Sequence, residues 1–337
     1  MKARCRGYWR RSHRNESRNV KVRFVTVLRY DPDMATELTS LYNEAIASVP
    51  HCFPVSCEDL AATVGGKLKH TRRLRRLEPD VVFVAVQDGN PAGFIHISPE
   101  NTRTGQRTDR GVIRFFHYRR GDRAIGQALL GKAHAYLGDL GVKKITAFHV
   151  DYRYPFYHQL SGALSNRMDH VQALLYSNNY GRTYSQVHFE WADFEIEEPS
   201  PTELVVDLEL DWNDGRPARV DGGKSDSTRS RYPSLHLKAY LQGKLVGECG
   251  NDPYVETRDL RQLDDWFYVG WLGVEEPYQG KGLGRHLLRR SMQEMHTIGY
   301  RHAAISCSEE NGRAFMHYSN CGFRIFDRTY SYERVSK

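Results

Sequence analysis

The stretch WLGVEEPYQGKGLGRHLLRR, from Trp271 to Arg290, places glycines at 280, 282 and 284 between an apolar run that stops at Val274 and an amphipathic helical pattern. Backbone amides at the start of a helix have no intrahelical acceptor, and the helix dipole adds to their attraction for an anion. Glycine lets a bulky anion approach and lets the chain take turns that a side chain forbids. Glycines in this position therefore read as a phosphate or diphosphate cradle. The two common nucleotide loops do not fit. A G-x4-G-K-[ST] loop fails because Leu283 follows Gly282, and the GGKS at 222–225 fails because residue 218 is Ala. The dinucleotide fingerprint G-x-G-x-x-G fails by one residue, and no acid ends the next apolar run, HAAISCS.

The pattern [Gln/Arg]-x-x-Gly-x-[Gly/Ala] does fit, as Gln279-Gly280-Lys281-Gly282-Leu283-Gly284. A second pattern follows: Asn311, Ala314, Tyr318, Gly322 and Phe323 stand at the spacing N-x-x-A-x-x-x-Y-x-x-x-G-F. In these two motifs the sequence resembles the GCN5-related N-acetyltransferases, the GNAT superfamily, over about residues 234–335. The resemblance implies that the diphosphate of acetyl-CoA lies on the amides of 279–284, with Lys281 and Arg285 either touching phosphate or facing solvent. It implies that the strand near Leu272 and Val274 pairs through its backbone with the pantetheine arm, and that Asn311 contacts that arm. Tyr318 would protonate the departing thiolate, and a backbone N–H near Val274 would polarise the acetyl carbonyl. A thiol of pKa near ~8.5 gains from a nearby phenol donor. One departure concerns the base. Histone-acetylating relatives carry a glutamate six residues before the valine, where this chain has Tyr268. The candidates for a base are then Asp264, Asp265 and Glu248, through water, or Tyr268 itself.

The elements that must hold these residues occur twice. The pattern of hairpin, strand, helix, strand, helix, strand runs from VVFVAVQDGNPAGFIHIS to RTYSQVHFEW and again from LHLKAYLQGKLVGECG to FRIFDRTYSYER. The acidic, proline-containing EIEEPSPTEL separates the copies. The division expected is a basic tail over 1–20, a degenerate first GNAT domain over 21–195 and a catalytic second one over 196–337. The resemblance implies an α/β (α+β) fold, each domain a mixed, mostly antiparallel sheet flanked by helices, in the tandem layout typified by mycothiol synthase. The helices at 31–65 have no counterpart in the second copy, which has the polar stretch 213–234 instead.

In the first copy Asp122 faces Gly280, His170 faces Asn311 and Ser177 faces Tyr318, so the thiolate donor is missing. Arg119, Arg120 and Arg123 stand ready to offset Asp122. The first copy also has an insertion with Tyr152, Tyr154, Phe156 and Tyr157, read as an interdomain contact or as an aromatic wall for the acceptor. A second candidate wall is 252–266, whose acids suit an amine cation.

Charge and composition narrow the function classes. Residues 1–23 carry nine Lys or Arg against one Glu, so the formal charge of +7 is all in that segment and the body is close to neutral. A nucleic-acid partner is therefore not expected from the body, and neither is a membrane partner, since no apolar run approaches a span. The 6 cysteines show no CxxC pair, as in reduced cytoplasmic thiols, and His149, His158, His188 and His317 lack metal-ligand spacing. The expected function is acetyl transfer from acetyl-CoA, as co-substrate, to a primary amine of a small molecule or peptide. The alternative is a non-catalytic acyl-CoA-binding protein.

Overall fold

The computed structural model describes residues 25–65, 76–102, 104–158, 162–196, 198, 201–213, 233–254 and 263–335. The basic tail, most of 213–234 and the middle of 252–266 lie outside the described residues. In the first half, β1 (Val25–Arg29) leads to α1 (Ala35–Ile46) and α2 (Cys57–Val64). Next come β2 (Arg76–Leu77), β3 (Val81–Gln87), β4 (Asn90–Asn101) and β5 (Arg107–Tyr118). The half ends with α3 (Arg123–Asp139), β6 (Lys144–Ala147), β7 (Leu164–Ser165), α4 (Asp169–Ser177) and β8 (Gly181–Trp191). The second half begins with β9 (Asp207–Asn213), β10 (Ser234–Leu241), β11 (Lys244–Pro253) and β12 (Trp266–Val274). It ends with α5 (Leu283–Thr297), β13 (His302–Ser308), α6 (Gly312–Asn320) and β14 (Arg324–Val335).

Local chemistry sets the ends of these elements. Asp31 accepts from Asp33 N ahead of α1, and Ser56 Oγ accepts from Asp59 N at the start of α2. The hairpins turn at Asp88-Gly89 and Gln242-Gly243, all four residues at positive φ, which suits the twist of a tight hairpin. Helix α5 buries Leu283, Leu287, Leu288, Met292 and Met295, a stripe of helical period laid on the sheet.

The 14 strands of the described residues form one sheet, in the order β1-β3-β4-β5-β6-β14-β8-β13-β12-β11-β10-β9, with β2 beside β4 and β7 beside β14. The order is palindromic about the central pair. Strand β8, from the first half of the chain, pairs with β13 of the second, while β14 pairs with β6 and β7 of the first. Each half is thus completed by the last strand of the other, and Val187 lies opposite Arg328 where β8 and β14 cross the midline. This exchange is not visible in the repeated order of elements. Two parallel contacts, β5 with β6 and β12 with β13, mark equivalent points on either side.

Two cores lie on the sheet. One, around Phe94, Phe115, Leu129 and Leu174, includes Tyr330 and Tyr332 of β14; the other, around Phe267, Leu287 and Ile305, includes Val187 and Phe189 of β8. The faces opposite α3 and α5 differ sharply. In the first half α1 and the insertion cover this face. Strand β6 stops at Ala147, residues 148–158 leave the sheet, and β7 resumes the pairing with β14. Tyr154 stacks on Phe115 with ring centres 5.2 Å apart, and Phe156 meets Tyr42 edge-on at 5.4 Å. Tyr152, Tyr154, Phe156 and Tyr157 are all buried. Three of them, Tyr154, Phe156 and Tyr157, join the first core. They fill the first half's own core, where Tyr330 and Tyr332 of β14 join them. In the second half both helices among the described residues lie on the Leu287 face, and the other face of β10–β12 leaves Trp271 59% exposed.

Candidate active site

The site begins where β12 leaves β13. The two strands pair from Trp266 with His302 to Val269 with Ile305 and no further, while β11 stays paired with β12 as far as Val274. The main chain from Gly270 to Val274, including Leu272, therefore presents one edge with no strand against it among the described residues. A bulge between Gly250 and Asn251 on one side and Gly270 on the other accompanies the divergence. Such an edge can accept an extended chain of amides, as a neighbouring strand would.

The glycine loop lies at the end of this edge. Gly280 and Gly282 take φ +80° and +84°, and α5 starts at Leu283. Among the described residues the amides of Gly280, Lys281, Gly282, Leu283, Gly284 and Arg285 have no acceptor; the first backbone bond of the helix is His286 N to Gly282 O. The loop is held from behind by the segment between the halves. Thr202 Oγ1 and Glu203 N both donate to Lys281 O, at 3.0 and 3.1 Å. Gln279 Nε2 donates to Val274 O at 2.6 Å and Gln279 Oε1 accepts from Arg313. Positive charge gathers here: burial, then Arg285 and Arg313, hold the His317 pKa below the usual imidazole value. Unpaired amides at a helix start, with Lys281, Arg285 and Arg313 beside them, suit a diphosphate and no cation.

Asn311 caps α6, its side chain accepting from Ala314 N at 3.1 Å. About two turns on, the Tyr318 ring packs edge-on against Phe189 of β8 at 5.7 Å. Burial, with Cys307 and Tyr268 next in order, lifts the Tyr318 pKa well above that of a free phenol. Its hydroxyl has no hydrogen-bond partner among the described residues. The phenol is thus protonated at neutral pH and free to donate. The free strand edge, the amide cradle and this phenol stand together around the C-terminal end of β12. A sequence model described as the Acetyltransferase (GNAT) family matches residues 186–323.

Residues 186–323 are a GNAT acetyltransferase domain.

The match opens inside β8, the strand that the first half lends to this domain. A segment of 101 residues is 29% identical to the N-alpha-acetyltransferase MAK3 of Arabidopsis thaliana, covering 30% of this chain and 50% of that protein. The chain thus spans about half the length of this curated relative. Among solved structures, the tandem GNAT protein from the clavulanic acid biosynthesis pathway is 15% identical, with a TM-score of 0.57 over 93% of this chain and 99% of that one. A GCN5-related N-acetyltransferase from Sphaerobacter thermophilus is 14% identical, with a TM-score of 0.52 over 92% of this chain and 95% of that one. These likenesses carry the fold: two GNAT-type halves along one chain.

In the first half the same features are closed off. From Tyr118 to Gly126 the loop is two residues shorter than from Val274 to Gly284, when the strands are matched through their parallel partners. Tyr118 O lies 2.9 Å from His170 Nε2, and Tyr118 Oη donates to His170 O at 2.8 Å. Arg119 and Arg120 are paired with Glu44 and Asp169. Ser177, in the place of Tyr318, donates to Leu174 O.

The structure brings some candidate acids and bases together and not others. Tyr268 Oη is 2.8 Å from Ser306 Oγ, which accepts from Gln186 Nε2 of β8 at 2.7 Å, a chain of polar groups across three strands beside Tyr318. Asp264 and Asp265 are at the opposite end of β12, Asp265 3.3 Å from His302. Seven residues of strand, ~23 Å, separate Asp265 from Leu272. This strand end carries them away from the cleft. Glu248 lies in register with Gly273, and its carboxylate is 2.9 Å from His236.

The first half also reaches this face, which the sequence did not signal. His51 and Phe53, from the turn after α1, pack with Tyr254, Trp266 and Tyr268, and His51 Nε2 is 2.8 Å from Glu190. Behind them His158 lies 3.0 Å from Asp327 and His188 2.8 Å from Thr329, all buried. Among the described residues no cluster of His, Cys, Asp or Glu is arranged to hold a metal ion.

Proposed function

We propose that the chain is an acetyl-CoA-dependent N-acetyltransferase acting on a primary amine of a small molecule or peptide. The chemistry is assigned to residues 196–337 and β8, and 21–195 is a degenerate GNAT domain that supplies structure. The observation that carries this reading is the free edge of β12 leading directly into the unpaired amides of 280–285, with the Tyr318 phenol alongside. The diphosphate of the coenzyme is held by those amides and by Lys281 or Arg285. The pantetheine arm pairs with the main chain at Leu272 and Val274 and meets Asn311. A main-chain N–H at this end of β12 stabilises the carbonyl oxygen as charge develops on it. Tyr318 gives its proton to the leaving thiolate. The amine reaches the thioester from the open face of β10–β12. The relative's name, an N-alpha-acetyltransferase, is consistent with a peptide amino group among the acceptors.

The test is CoA release with an amine panel, beside calorimetric titration with acetyl-CoA. The wild type binds acetyl-CoA and turns over at least one amine, and Tyr318→Phe lowers kcat about 10²-fold with acetyl-CoA affinity unchanged. Binding without turnover on any amine supports a non-catalytic acyl-CoA-binding role instead. No heat with any CoA species refutes both readings.

A further inference from the structure

Relatives that acetylate histones keep a carboxylate on the strand equivalent to β12, and Tyr268 occupies that position here. The cross-strand register puts Asp252 of β11 directly opposite Tyr268. In an antiparallel pair, residues opposite one another project from the same face. The face is the one that carries Trp271, away from the core under α5. Room for the carboxylate comes from Gly270: a Cβ there would stand 3.2 Å from Asp252 Oδ2 and 3.9 Å from the Tyr268 ring. Asp252 is exposed, and among the described residues it accepts no hydrogen bond and makes no ion pair. Glu248 is held by His236 and Asp265 by His302. Among the described residues Asp252, unlike Glu248 and Asp265, is thus both open and unengaged. Its main chain is in register with Tyr268, four residues before Leu272, and its carboxylate reaches over Gly270.

We propose that Asp252 is the general base that deprotonates the acceptor amine, an assignment that rests on the acetyltransferase reading above. The Asp252 carboxylate takes a proton from the incoming ammonium, directly or through one water. The freed nitrogen lone pair forms the C–N bond to the acetyl carbon. The C–S bond breaks, the sulfur leaves with the proton of Tyr318, and the second proton of the nitrogen passes to solvent as the amide forms. Solvent then removes the proton from Asp252 and returns one to Tyr318. Partial desolvation lifts the Asp252 pKa above the usual carboxylate value while His236 draws it back, which brings the base toward the working range. Among the described residues the titratable groups facing it are His236 of β10 with its partner Glu248, and Tyr268 of β12; Lys238 is occupied by Glu209 and Asp211.

The test compares wild type, Asp252→Asn and Gly270→Ala in full-length protein. CoA release is followed from acid to alkaline pH with ethanolamine, tyramine, spermidine and an unblocked tetrapeptide, and acetyl-CoA affinity is measured by calorimetry. Asp252→Asn should lose about 10²-fold in kcat at neutral pH with acetyl-CoA affinity unchanged, and the deficit should shrink as pH rises and the amine deprotonates unaided. Gly270→Ala, which crowds the carboxylate, should lower kcat while keeping the pH-dependent limb. A wild-type kcat and pH profile in Asp252→Asn overturns the assignment of the base and leaves the acetyltransferase reading standing. A wild type that turns over none of the four amines overturns both. A purely structural role for Asp252 predicts a loss independent of pH, and that outcome also overturns the proposal.

Discussion

At the scale of single residues, burial decides which protons are available. Tyr318 is 7% exposed, and its phenol has nothing to donate to except what enters the cleft. If it protonates the thiolate, the defect of Tyr318→Phe should narrow as pH rises past the thiol pKa of ~8.5, where the thiolate departs unaided. A pH–rate profile of that variant checks this; a constant deficit up to pH values well above the thiol pKa speaks against the role. His117 shows the same physics applied to stability. It is buried on β5, and burial, then His170, pushes its pKa down to about 3. The folded value is below that of the unfolded chain, so the native state holds the imidazole neutral. Its contribution is complete above the unfolded value near ~6.5 and drains away as pH falls toward the folded value, by about 1.4 kcal/mol per pH unit. Denaturant titrations at several pH values should show this acid loss, and His117→Leu should flatten it.

At the scale of elements, the glycine loop joins sequence to site. Gly282 sits at φ +84°, and a Cβ on it would meet Pro201 O at 3.0 Å. Gly282→Ala should cost about 1 kcal/mol in backbone strain and weaken acetyl-CoA binding, measured by calorimetry, because the loop must back away from residues 201–203. Much at this scale was readable in advance. The glycine turn before α5, the helical pattern that follows it and the repeated order of elements depend on neighbours in sequence, and the structure has them where the residue types indicated. What was hidden depends on partners far along the chain. The insertion with Tyr154 and Phe156 has the same composition whether it fills a core, lines a pocket or joins two domains; only its departure from the sheet after Ala147 decides. Likewise Asp252 sits two residues before Tyr254 with nothing local to distinguish it from Asp264 or Asp265. Only the pairing of β11 with β12 separates them, setting Asp252 opposite Tyr268 and leaving Asp264 and Asp265 ahead of the strand.

At the scale of the whole molecule, the exchanged strands govern behaviour. Strands β8 and β14 have similar alternating patterns, and nothing within either states which half it completes. Because each core contains residues of a strand from the other half, the halves should unfold together. Phe115→Ala, a cavity in the first core costing about 3–5 kcal/mol, should lower protection of β12 and β13 amides as much as that of β4 and β5. Hydrogen exchange against denaturant reads this directly, and separate loss of the two regions would show that the cores are independent. The palindromic order has a further meaning. A chain of half this length, with one strand to give and one strand missing, satisfies both needs by pairing with a copy of itself about a two-fold axis. Two such copies joined end to end make that assembly intramolecular and free of any dependence on concentration. Once joined, the copies need no longer match: one can trade its ligand cleft for aromatic ballast, and the other keeps the chemistry on a frame its twin now stiffens.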